Sequence, residues 1–551
     1  MVQDEQCRPV KKLSARLPEA SLAEAGRELA RLRRLTAESA EIGEELSQVV
    51  AELRQVAAPP DEPFIFTPVL AENERLLRAI FRDCDDIKYR AFKAGQRQAL
   101  LVYLNWMTDL TLLEKNVLET LMTPGQGGQV SVDPGALVNQ FLTSASLTVT
   151  YQASEAIEAV MTGNALLLVD GIAEAFTIGT VKHVKRTVEG AKSEGVVRGP
   201  QDAFNETLSD NIVLIRRRTR DPNVKIRVLK LGERTKTAIA LVYVANLVKP
   251  GLVEEVERRL NLIKVDSVIL STTVEEALSD HPWTPFPQAQ VTERPETMVA
   301  AVYEGRVGII VDNTPFSLIV PCTYANLLQS TDDYTARPTV ASLIRLTRHA
   351  SAFLAIYLPA LYIAIVSFHP GMLPTTLAIS IAELRARTPF PSLLEAVMME
   401  ILLEIFQEAI IRLPNKFAGA AGVVGGLVIG TTVVQAALVN PLLVVVIATT
   451  AIASYTMPSY HFSMALRSLR VPLLILASVL GLYGVMLGVL AITTHMCSLR
   501  SFGESYLGGT LDITLLEDWK DMLVRFPVKF LRARPKELGP QERTRMGGGH
   551  G

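Results

Sequence analysis

Residues 395–412 read EAVMMEILLEIFQEAIIR and, four residues later, give way to FAGAAGVVGGLVIGTTVVQAALV, Phe417–Val439, which carries no charge at all. The second stretch is long enough and apolar enough to cross a bilayer. The first is amphipathic. At 100° per residue, Glu400, Glu404 and Glu408 fall on one strip of a helix, with Gln407 and Arg412 beside it and Glu395 pointing elsewhere. Helices that adsorb to lipid surfaces usually carry Lys and Arg on the polar face. This one is acidic, which leaves two readings open. Either the strip is simply solvated at the membrane edge, or the carboxylates face a water-filled cavity or an oligomer axis where they attract cations.

Working outward, Ala350–Phe368, Leu442–Met457 and Val471–Met496 are further apolar runs. With Phe417–Val439 they make about four full spans. Met372–Ile381, bracketed by Pro370 and broken by Pro374, is too short and reads as a half-helix. Pro359, Pro389, Pro391 and Pro414 mark expected helix breaks, Pro359 as a kink within the first span. Gly422, Gly426 and Gly430 recur at every fourth position and form one groove, and Gly484 and Gly488 repeat the spacing in the last span. Small residues let helix backbones approach inside lipid, so these are expected packing faces. Arg337, Arg345 and Arg348 precede the first span. Arg500, Lys520, Arg525, Lys529, Arg532, Arg534 and Lys536 follow the last. Positive charge marks the cytoplasmic side, so both ends are expected there, and Arg467 and Arg470 then fall on the wrong side.

The rest of the chain is of another kind. Of 551 residues, 49% are hydrophobic, mean hydropathy is +0.25, and the excess lies after residue 350. Upstream, strand-like runs alternate with helices. Ala99–Leu104, Ala165–Gly171, Ala175–Thr180, Lys236–Asn246 and Val265–Leu270 read as strands. Leu110–Met122, Ser154–Met161 and Leu252–Ile263 read as helices. Strand, helix and strand over 236–270 imply a parallel crossover, and Arg306–Pro321 reads as a hairpin turning at Asp312-Asn313. Leu35, Ile42, Leu46, Val49, Leu53 and Val56 form an apolar helical stripe before the breaker AAPPDEP, Ala57–Pro63.

The fold expected is an α/β cytoplasmic domain of two subdomains followed by an α-helical polytopic membrane domain. The parts are a helical extension and linker (1–60), the subdomains (61–200 and 201–338), the membrane domain (339–500) and a cytoplasmic tail (501–551). A net charge of -2 gives no basic field for nucleic acid. Four scattered cysteines and seven histidines form no zinc or disulfide pattern. There is no phosphate-binding loop and no nucleophile–base set, so no metal, cofactor or enzymatic activity is indicated. The basic run Arg216–Arg220, RRRTR, suits either phosphate binding or ion pairing.

Thr388–Tyr460 resembles the membrane core of the spore germination receptor A-subunit (GerA) family. So do EGVVRGPQDAFNETLSDNIVLIRRR (Glu194–Arg218), TERPETMVAAVYEGRVGIIVDNTPFSLIVP (Thr292–Pro321), QSTDDY (Gln329–Tyr334) and SFGESYL (Ser501–Leu507). The likeness runs from Glu72 to Lys536. It implies a protein of the spore inner membrane in endospore-forming bacteria that assembles with a transporter-like B-subunit and a lipoprotein C-subunit. It also implies a homo-oligomeric ring acting as a gated channel for monovalent cations when nutrients are sensed. A stage V sporulation paralogue group shares the architecture and is regarded as an amplifying channel. On this footing Glu400, Glu404 and Glu408 are expected to line or guard a cation path. A secondary transporter and a non-conducting scaffold are the rival classes.

Overall fold

The central strands upstream of residue 340 are buried on both faces, and such strands need helices on both sides. The computed structural model describes residues 64–122, 147–182, 190–191, 193–196, 198–508 and 519–545. The stripe at 35–56, its linker and the glycine tail lie outside the described residues. The first sheet holds β1 (Ile87–Ala94), β2 (Arg97–Leu104), β3 (Leu147–Thr150), β4 (Ala165–Val169) and β5 (Ala175–Ile178), in the order β1-β2-β4-β5-β3. Ala99 and Leu101 face the helical stretch Leu110–Met122. Leu100 and Val102 face α1 (Leu70–Ile80) and α2 (Ala153–Met161).

The second sheet repeats the plan. Its strands are β6 (Val224–Leu231), β7 (Thr237–Val244), β8 (Gln290–Thr292), β9 (Val307–Val311) and β10 (Ser317–Val320), in the order β6-β7-β9-β10-β8. Helices α3 (Leu208–Arg218), α4 (Leu252–Leu262), α5 (Ser271–Leu278) and α6 (Pro295–Val302) cover its faces. The two sheets share one topology, and equivalent turns carry equivalent residues. Gly163 and Gly305 precede β4 and β9 at φ 96 and 97. After those strands, Asp170-Gly171 and Asp312-Asn313 turn the chain with Gly171 and Asn313 at positive φ. The chain is built on a duplicated unit.

Every strand pair in both sheets is antiparallel. The parallel crossover expected at 236–270 does not form, and Val265–Leu270 is extended but unpaired. The reason is occupancy. Strand β7 already pairs with β6 on one side and β9 on the other, so no edge remains for a parallel partner.

Beyond residue 338 the structure is helical. Pro338–Phe368 and Tyr460–Ser498 are long and apolar enough to cross a membrane by length and composition. Helix α7 (Pro338–Phe368) runs unbroken through Pro359 for 31 residues, roughly 46 Å. It is followed by α8 (Thr375–Arg385), α9 (Ser392–Arg412), α10 (Asn415–Gln435), α11 (Pro441–Tyr455), α12 (Tyr460–Ser468) and α13 (Arg470–Ser498). Pro391 and Pro414 are the N-caps of α9 and α10, and Pro389 lies in the turn before α9.

Length misleads for α13. Its backbone leaves the helical region at Gly481, with φ 58 and ψ -137. A Cβ added at Gly484 would collide with the Leu476 carbonyl, and one at Gly488 with the Leu473 side chain. In a straight helix these pairs would be about 12 Å and 22 Å apart along the axis. So α13 folds back at Gly481, and its two arms pack against each other. The run expected to be one span is a hairpin, with its glycines on the inner seam. Helices α9 and α10 form a second hairpin, with Gly425 against Phe406 and Gly422 facing Ile410.

After Ser498 the chain lies beside the second sheet, where Ser501 Oγ donates to Gln288 O at 2.8 Å. There Tyr324 N donates to Tyr506 O at 2.9 Å, and Cys322 N donates to Ser501 Oγ at 3.0 Å.

Gly481 has a conformation open only to glycine, and an added Cβ would lie 2.9 Å from Phe368 Cβ. Gly481→Val is expected to cost about 1–3 kcal/mol or more. Unfolding of the detergent-solubilised protein measures this, and unchanged stability would mean the hairpin is not adopted.

Candidate functional site: an ion-pair ladder in the helical bundle

The acidic strip meets arginines. Glu400, on α9 and only 8% exposed, pairs with Arg470 at the start of α13, which is 1% exposed, at 3.2 Å. One turn along, Glu404 pairs with Arg467 of α12 at 3.2 Å. A turn further, Glu408 pairs with Arg412 of its own helix at 2.6 Å. The strip grades from buried to open, since Glu404 and Glu408 are more than half exposed. Glu395, off the strip, is buried and accepts from Asn440 N at 3.2 Å, tying the start of α9 to that of α11.

Arg470 explains why the ladder sits where it does. A proline has no N–H, so Pro359 leaves the carbonyl four residues back without its helical donor. That carbonyl belongs to Ala355, and Arg470 Nε donates to it at 2.6 Å. Arg470 Nη2 donates to Ser454 Oγ of α11, and Nη1 faces Glu400. The guanidinium thus holds α7, α9, α11 and α13 at one point. Arg467 similarly donates to Gln407 Oε1. Pro359, expected to kink its helix, instead supplies an acceptor inside a continuous one.

The glycine positions divide. Gly484 and Gly488 are filled by the other arm of α13. At Gly426 and Gly430 an added Cβ would meet nothing within 4 Å, and at Gly422 only Ile410 at 3.9 Å. Gly422 thus borders α9, while Gly426 and Gly430 open away from the described residues. Among the described residues no group of His, Cys, Asp or Glu is arranged to hold a metal ion.

A second cluster sits where the bundle meets the sheets, and the sequence signalled it only through QSTDDY. Asp333, fully buried, takes Arg345 Nε at 3.0 Å and Arg348 Nη1 at 2.8 Å, both from the base of α7. Arg345 also reaches Asp521 Oδ1 of the C-terminal segment at 3.2 Å. Burial pushes the Asp521 carboxyl upward, and Arg345 draws it back. The same segment continues along the second unit, where Arg534 Nε donates to Tyr303 O at 2.8 Å and Arg545 meets Glu304 at 3.1 Å.

Removing one member of a buried pair strands the other. Arg470→Met is expected to destabilise the protein by about 3–5 kcal/mol. Arg470→Met combined with Glu400→Met should recover most of that loss. Denaturation of all three variants checks it, and additive costs would exclude the pairing.

Residues 75–537 match the family described as Bacillus/Clostridium GerA spore germination protein. The chain is 37% identical to spore germination protein B1 of Bacillus subtilis (strain 168) over 484 residues, 87% of this chain and 99% of that one. It is 36% identical to spore germination protein A1 of the same organism over 475 residues, 86% of this chain and 96% of that one. Among solved structures it is similar to the N-terminal domain of the A subunit of the Bacillus megaterium spore germinant receptor GerK3. That likeness is 27% identical with a TM-score of 0.38, covering 48% of this chain and 98% of that one. With the family matched over most of its length, the chain belongs to the Bacillus/Clostridium GerA spore germination proteins.

Proposed function

We propose that this chain is an A-type subunit of a nutrient germinant receptor, a multi-pass protein of the spore inner membrane. Copies assemble into a ring with a transporter-like B-subunit and a lipoprotein C-subunit, and the ring forms a gated path for cations. The two α/β units and the C-terminal segment lie together on the cytoplasmic side. The contacts of Ser501 and Tyr506 with the second unit support that placement, because they return the chain after the helices to the side it left.

The observation that carries the reading is the paired state of the strip. Glu400, Glu404 and Glu408 each hold an arginine of the same chain. In this arrangement their charge is cancelled locally, and a cation meets no net field. Arg467 and Arg470 both belong to the α12–α13 junction, whereas the carboxylates ride on α9. Displacing that junction relative to α9 uncovers Glu404 first, since it is already half exposed, and then Glu400. The strip becomes attractive to cations only when the pairs open, which is how a gate would differ from a permanent pore. Helix α12, which carries Arg467, packs on the second α/β unit, where the Phe286 and Phe462 rings lie 6.3 Å apart. Movement of the α/β units therefore has a direct mechanical route to the pairs.

The open groove of α10 supplies a seat for a neighbouring copy, since close helix contact in lipid depends on small residues. Exposed Phe417, Val423 and Leu427 extend the apolar surface around it.

Glu400→Gln, Glu404→Gln and Glu408→Gln together should lower cation release severalfold at unchanged protein level, read as ion flux from spores or proteoliposomes. Undiminished flux would take the strip out of the path. Gly426→Leu should abolish the crosslinked oligomer while leaving subunit stability intact, because an added Cβ there meets nothing within 4 Å among the described residues. A normal oligomer ladder would rule the groove out as an interface.

A further inference from the structure

The run Arg216–Arg220 separates into two jobs. Arg216 is buried and forks onto Asp86, with Nε–Oδ2 at 2.7 Å and Nη2–Oδ1 at 3.0 Å, so it bolts α3 to the first unit. Arg218 turns the other way, to Asp202 at 3.1 Å and Glu296 at 3.9 Å. Arg217 and Arg220 do neither. Both are exposed, and among the described residues neither has an ion pair. They line a cavity of about 360 Å³ between the two units, opposite Lys182, which is equally without a charged partner among the described residues. Met107 and Met161 of the first unit form part of its apolar wall, and Arg216 closes one side. Among the described residues no carboxylate lines it.

We infer that this junction cavity is a binding site for a small soluble polyanion, of phosphoryl or carboxylate chemistry, that bridges the two α/β units. Asp86 cancels Arg216, so Lys182, Arg217 and Arg220 remain in excess around one space. Two of the three are guanidinium groups, whose planar forks match phosphate and carboxylate oxygens. The C-terminal end of α3 also points here and opposes an anion with about half a negative charge. Three full positive charges outweigh it. The volume lies at the small end of ligand pockets and suits a compact molecule. Its cations come from both units, Lys182 from the first and the arginines from the second. A bound anion would therefore hold the two halves in one relation, next to the Asp86–Arg216 bolt.

The test uses the full-length protein in detergent, with pyrophosphate and citrate as probes. The expected result is saturable binding of at least one probe near one per chain by calorimetry, with a melting temperature that climbs with probe concentration. Arg217→Gln with Arg220→Gln should weaken binding at least tenfold, and Lys182→Gln, on the opposite wall, should weaken it independently. Arg234→Gln, an exposed arginine elsewhere, should leave it unchanged. Binding should also weaken with added salt. No binding of either probe at millimolar concentration, or binding that all these variants retain, would overturn the site. So would phosphatidylglycerol vesicles that lose their hold on the Arg217→Gln/Arg220→Gln protein while both soluble probes leave wild type unaffected, since the arginines would then read a lipid surface.

Discussion

A guanidinium with almost no access to solvent has to be satisfied by the protein around it, and Arg470 draws its partners from three other helices. Taking a charge out of water costs several kcal/mol even after relaxation, so the bundle can be stable only if its donors are used. Glu400 answers the charge. Ser454 and the Ala355 carbonyl answer the remaining N–H groups. The Ala355 carbonyl is free because Pro359 sits four residues later in a helix that never breaks. Pro359, Glu400, Ser454 and Arg470 are far apart in the chain, and none is interpretable without the others. Together they fix the depth and rotation at which α7, α9, α11 and α13 meet. That fixed rotation presents Glu404 and Glu408 as the continuation of the same strip.

The acidic strip was legible from helical spacing alone, and its gradient of exposure was not. Periodicity places carboxylates on one face but does not say what that face meets. The partners were visible as a difficulty. Arg467 and Arg470 contradicted the charge rule for topology because that rule counts side chains that reach water, and these two turn inward. Composition likewise cannot separate a 29-residue span from a hairpin, since both are apolar throughout. The signal was present in Gly481, but one glycine among several near it carries no mark of its φ. In the α/β units, most strands and helices followed from alternation and from 3.6-residue periodicity. The pairing did not, because strand direction depends on which edges are already occupied. The duplication was written in the matching Gly-x-strand-Asp-Gly/Asn turns, but divergence in length between the halves hid it from a linear pass.

The same logic explains how the α/β and helical parts form one object. Asp333 binds Arg345 and Arg348, so the first turns of α7 are anchored to the α/β side before the apolar segment begins. The C-terminal segment closes over this junction through Asp521 and runs on to Glu304 and Tyr303. The chain thereby ties its own entry helix to the second unit. A rearrangement within the α/β units would thus be transmitted at two places, through α7 at its base and through the second arm of α13 at His495.

Glycine usage separates what a single chain completes from what it leaves open. At Gly484 and Gly488 the missing side chain is answered by Leu476 and Leu473 across the hairpin, and at Gly425 by the ring of Phe406. At Gly426 and Gly430 nothing answers it. A glycine in a helix interior costs about 1 kcal/mol relative to alanine. On α13 and at Gly425, close packing within the chain offsets that cost. On the outer face of α10 no contact within the chain does so. A groove with the same spacing as the filled seam lies open at Gly426 and Gly430. Because α10 is hairpinned to α9, the neighbouring copy proposed to seat there would also set the position of the helix that carries Glu400, Glu404 and Glu408.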